Sequence, residues 1–158
     1  MSRETSLIRR AIRRHLLPAL DGFGFHGGAS SFRRVLPDCL DLLSVQFWKH
    51  GGEFILEFAR CQRGDLTTAW GETVPEARLE IAYVSPLARA RLVKDTPHST
   101  SGFFGFEFAG FGEDGPAYDA LVQSVASLLP QVDAWLVSGA VGANIRPFSP
   151  AMQPGARG

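Results

Sequence analysis

The chain has 158 residues, 45% of them hydrophobic and 20% charged, with a formal net charge of zero. That length suits one domain with a full core of its own, and the neutral balance excludes a protein whose whole surface is a nucleic-acid or membrane footprint. Two cysteines, Cys39 and Cys61, form no CxxC pair and are too few for a disulfide scaffold, which fits a reducing compartment.

Residues 3–20 read as an amphipathic helix. Leu7, Ile8, Ala11, Ile12, His15, Leu16, Ala19 and Leu20 recur at helical spacing, with Arg9, Arg10, Arg13 and Arg14 mostly on the opposite face. Pro18 has no N–H and clashes one turn back, so the helix is expected to kink or stop near it, before Asp21-Gly22 ends it. No apolar run approaches the ~20 residues that span a bilayer. Arginines interrupt every apolar stretch at the N-terminus, so a soluble, cytoplasmic chain without a signal peptide is expected.

Residues 22–28, GFGFHGG, form a glycine-rich loop. Gly22 to Gly27 match GxGxxG literally, but the dinucleotide fingerprint needs a strand before it and a helix after it. Here a helix precedes and a strand follows, so the glycines are read as a sharp turn into a sheet.

Strands are expected at 30–36, 40–48 and 53–61. Leu43, Val45 and Phe47 alternate with Ser44, Gln46 and Trp48; Phe54, Leu56 and Phe58 alternate with Ile55, Glu57, Ala59 and Cys61. Lys49 to Gly52 supply a hairpin loop. Residues 62–75 read as a long loop with Trp70 as a packing residue. The alternation of Leu79, Ile81 and Tyr83 predicts a fourth strand at 79–84, and 85–101 a short helix or loop followed by a polar turn. A fifth strand at 103–108 places Phe104, Phe106 and Phe108 on one face and Glu107 on the other. Gly115-Pro116 opens a helix that Pro130 breaks, and a last short helix ends at Gly139. The expected class is α+β: an antiparallel sheet of about five strands, with the N-terminal helix and two C-terminal helices packed on one face. Residues 1–145 form a single domain and 146–158 a disordered tail.

There is no GxSxG, P-loop or HExxH motif, and His15, His26, His50 and His98 lack metal-site spacing with each other or with the cysteines. No catalytic residue, cofactor or metal is therefore assigned. Glu57 and Glu107 share a face and suit acid–base work, although strand glutamates are far more often simply solvated. Arg33, Gln46, Trp48 and Glu107 are the candidates to line a ligand pocket between sheet and helices. Arg9, Arg10, Arg13 and Arg14 form a candidate basic patch, since residues 1–34 carry seven arginines against two acids (+5), while residues 95–145 carry six acids and no Lys or Arg (−6). Weak nucleic-acid binding through that patch would show steep salt dependence. The commoner outcome is a solvated helix face partly paired with the acidic segment.

Gly24-Phe25 after an N-terminal helix, Phe32-Arg33-Arg34 opening a strand, Val45-Gln46-Phe47-Trp48 in the next, and Phe54 after a short turn resemble domain-of-unknown-function family 4304, over roughly residues 5–110. Where that family often carries tryptophans in a late strand, this chain has Phe103-Phe104. The resemblance implies a small α+β protein in a bacterial cytosol and no reaction. The functional expectation is a non-enzymatic binding protein whose partner is another protein, as in immunity or accessory proteins of bacterial conflict systems. It rests on compact size, the lack of a catalytic constellation, and a sheet expected to expose one face or edge.

Overall fold

The computed structural model describes residues 2–28, 30–94 and 103–148. Helix α1 (Arg3–Ala11) starts at Ser2, whose Oγ accepts the Thr5 N–H at 3.1 Å. The chain does not stop at Pro18. It passes through a π-turn, Ile12–Leu16, into α2 (Leu17–Gly22). The Leu17 N–H reaches back to the Ile12 carbonyl, and this wider turn makes room for a proline ring that an ordinary α-turn would crowd.

The sheet strands are β1 (His26–Gly28), β2 (Ser31–Val35), β3 (Cys39–Phe47) and β4 (Glu53–Gln62). A small hairpin follows, β5 (Leu66–Thr67) and β6 (Thr73–Val74), then 3-10 turns at Glu76–Arg78, Ile81–Tyr83 and Pro86–Ala88. After them come β7 (Arg89–Leu92), β8 (Phe106–Glu107), α3 (Gly115–Ala126), α4 (Leu129–Ser138) and β9 (Ile145–Pro147). The architecture is α+β, as expected, with seven strands in the main antiparallel sheet. Their order is β1-β2-β3-β4-β7-β9, and β8 pairs with the Glu53–Phe54 end of β4.

Strand parity decides which residues meet the helices. Phe32, Leu43, Val45, Phe54, Leu56 and Phe58 point to one face and join Ile8, Leu16, Tyr118, Val122 and Trp135 in the main core. Three ion pairs tie the basic N-terminal part of the chain to the acidic later part: Arg14–Asp119, Arg3–Glu113 and Arg34–Asp133. Asp41, fully buried on this face, holds Arg34 at 2.8 Å and Arg60 at 2.8 Å.

The second sheet face is covered in part. Leu40, Leu42 and Ala59 pack against Val74, Leu79, Ile81 and Val84 in a smaller core. The expected strand at 79–84 is therefore one 3-10 turn, Ile81–Tyr83, and its flanks, just after another at Glu76–Arg78, and the inward residues imitate alternation. The fourth long pairing belongs to β7, within the stretch read as helix or loop; Arg89 and Arg91 reach Glu57 from one face while Ala90 and Leu92 enter the main core from the other. The polar turn expected after Asp95 lies outside the described residues. The 103–108 strand shrinks to Phe106–Glu107, because Phe104 takes φ +59° and breaks the alternation. Its ring leaves the Phe106/Phe108 face and stacks on the Arg146 guanidinium at 4.1 Å. Trp70 is 64% exposed at the β5–β6 tip rather than packed. The sheet also gains β9, which runs past residue 145, where the tail was expected to begin.

Gly115–Ser138 is long and apolar enough to cross a membrane by length and composition, contrary to the expectation of no such span. Its break at 127–128 and its burial of Tyr118, Val122, Leu129, Val132 and Trp135 mark it as a core helix pair. Its two acids, Asp119 and Asp133, are both held by cations.

Candidate binding edge

β1 has a sheet neighbour on one side only, and His26, Gly27 and Gly28 are all exposed. Such an edge carries unpaired backbone donors and acceptors. The local sequence builds it. The α2 end turns at Gly24 (φ +88°), where the Phe25 N–H bonds the Leu20 carbonyl and buried Phe25 anchors the entry. Gly27 is needed for close approach, since a Cβ there would meet the Ser31 carbonyl oxygen at 2.2 Å. Only residues 29–30 separate β1 from β2, and the register pairs Gly28 with Ser31 and His26 with Arg33.

Two clefts open on either side of this edge, and both are lined by His26, Gly27 and Phe32. On the helix face, a cleft of about 380 Å³ is walled by Arg13, Leu17, Pro18 and Phe25. His26 Nδ1 lies 2.9 Å from Asp21 Oδ1 at its rim. On the second face, a cleft of about 400 Å³ lies between Ser31 and Arg33 and the segment 77–81. Arg33 fixes that wall: its guanidinium donates to the carbonyls of Glu76 (3.1 Å), Ala77 (3.4 Å) and Leu79 (2.8 Å). These carbonyls belong to 3-10 turns with no sheet partner, so they need donors from elsewhere. Arg89 does the same farther along, reaching the carbonyls of Ala82 and Val84. The base of the wall is held by Glu76, which accepts from Arg63 Nε (2.6 Å) and the Gly64 N–H (2.8 Å). Those two donors hold its carboxyl down at about 2, well below the usual carboxylate range. Among the described residues Arg33, Arg78 and Glu80 make no ion pair, so this cleft keeps a net positive lining.

The sequence candidates scatter. Arg33 lines the second-face cleft as a clamp. Gln46 donates to Ser44 Oγ at 3.0 Å on that same face, four positions along β3 from Leu42, the partner of Arg33, or ~13 Å at strand rise. Trp48 sits beyond β3 with its ring 4.7 Å from His50. Glu107 is exposed and faces Glu53 across the β4–β8 pair. These four do not line a pocket between sheet and helices: strand parity turns Arg33, Gln46 and Glu107 to the face away from the helices, and Trp48 lies past the end of β3. Glu57, the carboxylate expected to act with Glu107 on that face, is buried and bound by Arg89 and Arg91. The basic patch thins as well: Arg9 lies over the Phe47 ring at 4.5 Å and Arg14 pairs with Asp119, which leaves Arg10 and Arg13 exposed. Cys39 and Cys61 sit on adjacent strands but on opposite faces, and burial pushes the Cys61 thiol up.

Sequence reasoning missed His26, Arg78 and Glu80. The signal for His26 was the two-residue spacing between Gly28 and Ser31, which turns a glycine loop into an edge strand. No family model matches the chain, and no match is found among curated proteins or solved structures.

Proposed function

We propose that the chain is a non-enzymatic binding protein that takes an extended segment of another protein as an added strand on β1. The observation that carries this is the exposed edge strand with one cleft on each face. An added strand supplies main-chain hydrogen bonds, and its successive side chains point to opposite faces. One side chain enters the helix-face cleft, whose Leu17, Pro18, Phe25 and Phe32 favour an apolar group. The next enters the second-face cleft, where Arg33 and Arg78 outweigh Glu80 and favour an acidic group. The ligand motif is thus an acidic residue beside an apolar one in extended backbone.

The setting we propose is cytosolic, as for an accessory or immunity protein; the half-buried, unbridged cysteines agree with a reducing compartment. Membership of domain-of-unknown-function family 4304 would add a bacterial background and no activity. Selection from a random peptide library tests the reading. Enriched peptides are expected to share the acidic–apolar pair, to bind Arg78→Glu about tenfold more weakly, and to lose binding when their backbone amides are N-methylated. Peptides without that pattern, bound equally by both proteins and indifferent to methylation, would overturn it.

A further inference from the structure

We propose a second site, adjoining the helix-face cleft of the β1 edge across Arg13 and Leu17, in the seam between the N-terminal helix and β3: a pocket for a small organic anion with an apolar body. A cavity of about 180 Å³ lies there, lined by Arg9, Ile12, Arg13, Leu17, Val45 and Phe47. It sits against the π-turn Ile12–Leu16, and such turns recur at functional sites. Ile12 and Val45 are buried and Phe47 partly so, which makes the walls apolar.

The mouth is cationic. Arg9 and Arg13 have no carboxylate partner among the described residues. The Arg9 guanidinium lies over the Phe47 ring at 4.5 Å, and its Nε–H is shielded from solvent with no acceptor. A shielded donor left unmet is costly, and an anionic oxygen at the mouth meets it. The nearest acid lining the adjoining cleft is Asp21, which lies against His26. In size the cavity is close to the ~150 Å³ apolar cavity known to hold benzene, so the occupant's body has roughly six to eight heavy atoms. Charge at one end and apolar walls at the other point to an aliphatic or aromatic carboxylate.

Octanoate is the probe, with octan-1-ol as the uncharged control, titrated into the whole protein by calorimetry and by NMR of the arginine side chains. Octanoate is expected to bind with 1:1 stoichiometry and to shift the Arg9 Nε–H resonance, with octan-1-ol at least tenfold weaker. Arg9→Met is expected to cost about tenfold, and Leu17→Trp, which fills the cavity from its rim, to abolish binding. Octan-1-ol binding as tightly as octanoate, or octanoate binding that leaves the Arg9 resonance unmoved and is indifferent to Arg9→Met, would overturn the proposal. Leu17 also lines the helix-face cleft beside β1, but the octanoate titration, the Arg9 resonance and Arg9→Met leave the β1 edge untouched, so failure of those three leaves the strand-addition reading standing, and the reverse also holds.

Discussion

Arginine does the work of backbone in several places. Arg33 and Arg89 meet the carbonyls of a segment that has no strand to pair with, and Arg34 and Arg60 share the buried Asp41. A planar fork with five donors can bind several acceptors at once; a lysine ammonium cannot hold that geometry. Arg33→Ala is therefore expected to cost about 2–3 kcal/mol, from three lost hydrogen bonds, and to speed hydrogen exchange over 79–84 more than over α3. Asp41→Ala strands two cations around a buried site, and the expected loss is about 3–5 kcal/mol in chemical denaturation. Glu76 gives a pH signature. Its folded pKa of about 2 lies below the unfolded ~4.3. Its contribution is therefore fully present above about pH 5 and is lost as pH falls from ~4 toward 2. The stability gap between the native protein and Glu76→Gln, followed by thermal melting, is expected to be constant from pH 5 to 7 and to close below pH 4; a gap unchanged at pH 2.5 would show that the ion pair is not the source. These residue roles were hard to read from sequence, because nothing in Phe32-Arg33-Arg34 says that the first arginine serves one sheet face and the second the other.

At the scale of elements, β2, β3, β4, α3 and α4 are legible because large apolar residues recur at period two or at helical spacing and glycine or proline marks the ends, although β3 and β4 are buried on both faces. The 79–84 segment was misread because Leu79, Ile81 and Val84 are buried at spacings of two and three, which a strand pattern absorbs. β7 was missed for the opposite reason: its alternating partners are arginines that meet a buried glutamate, so a fully used strand looks like a charged loop. β1 was legible as a turn and not as an edge. It is also the element most sensitive to a single methyl group. Gly27→Ala places a Cβ at 2.2 Å from the Ser31 carbonyl oxygen. The expected cost is about 1–3 kcal/mol, with the β1–β2 pairing lost and the helix-face core intact by amide exchange. Protection at His26 and Gly28 equal to the native protein's would contradict that assignment.

For the whole molecule, helices cover one sheet face, and arginine-pinned turns cover the part of the other that carries Leu40, Leu42 and Ala59. Edge β9 ends in Pro147, which lacks an N–H to donate, and β1 is left as the edge with exposed backbone and a cleft on each side. Function was the least legible layer, since the binding edge arises where the chain brings Ser31 to Arg33 beside residues 77–81 on one face and Arg13 to Asp21 beside Phe25 and Phe32 on the other, and no local motif records that meeting. The central claim is strand addition at β1. Its most direct test is a photoreactive side chain at Gly28, where an added Cβ meets nothing within 4 Å, activated in the cells that make the protein. The account predicts covalent capture of one protein, through a segment pairing an acidic with an apolar residue, and loss of that adduct in Arg78→Glu. No adduct, or the same adducts from a probe at Ala120 on the outer face of α3, would contradict it.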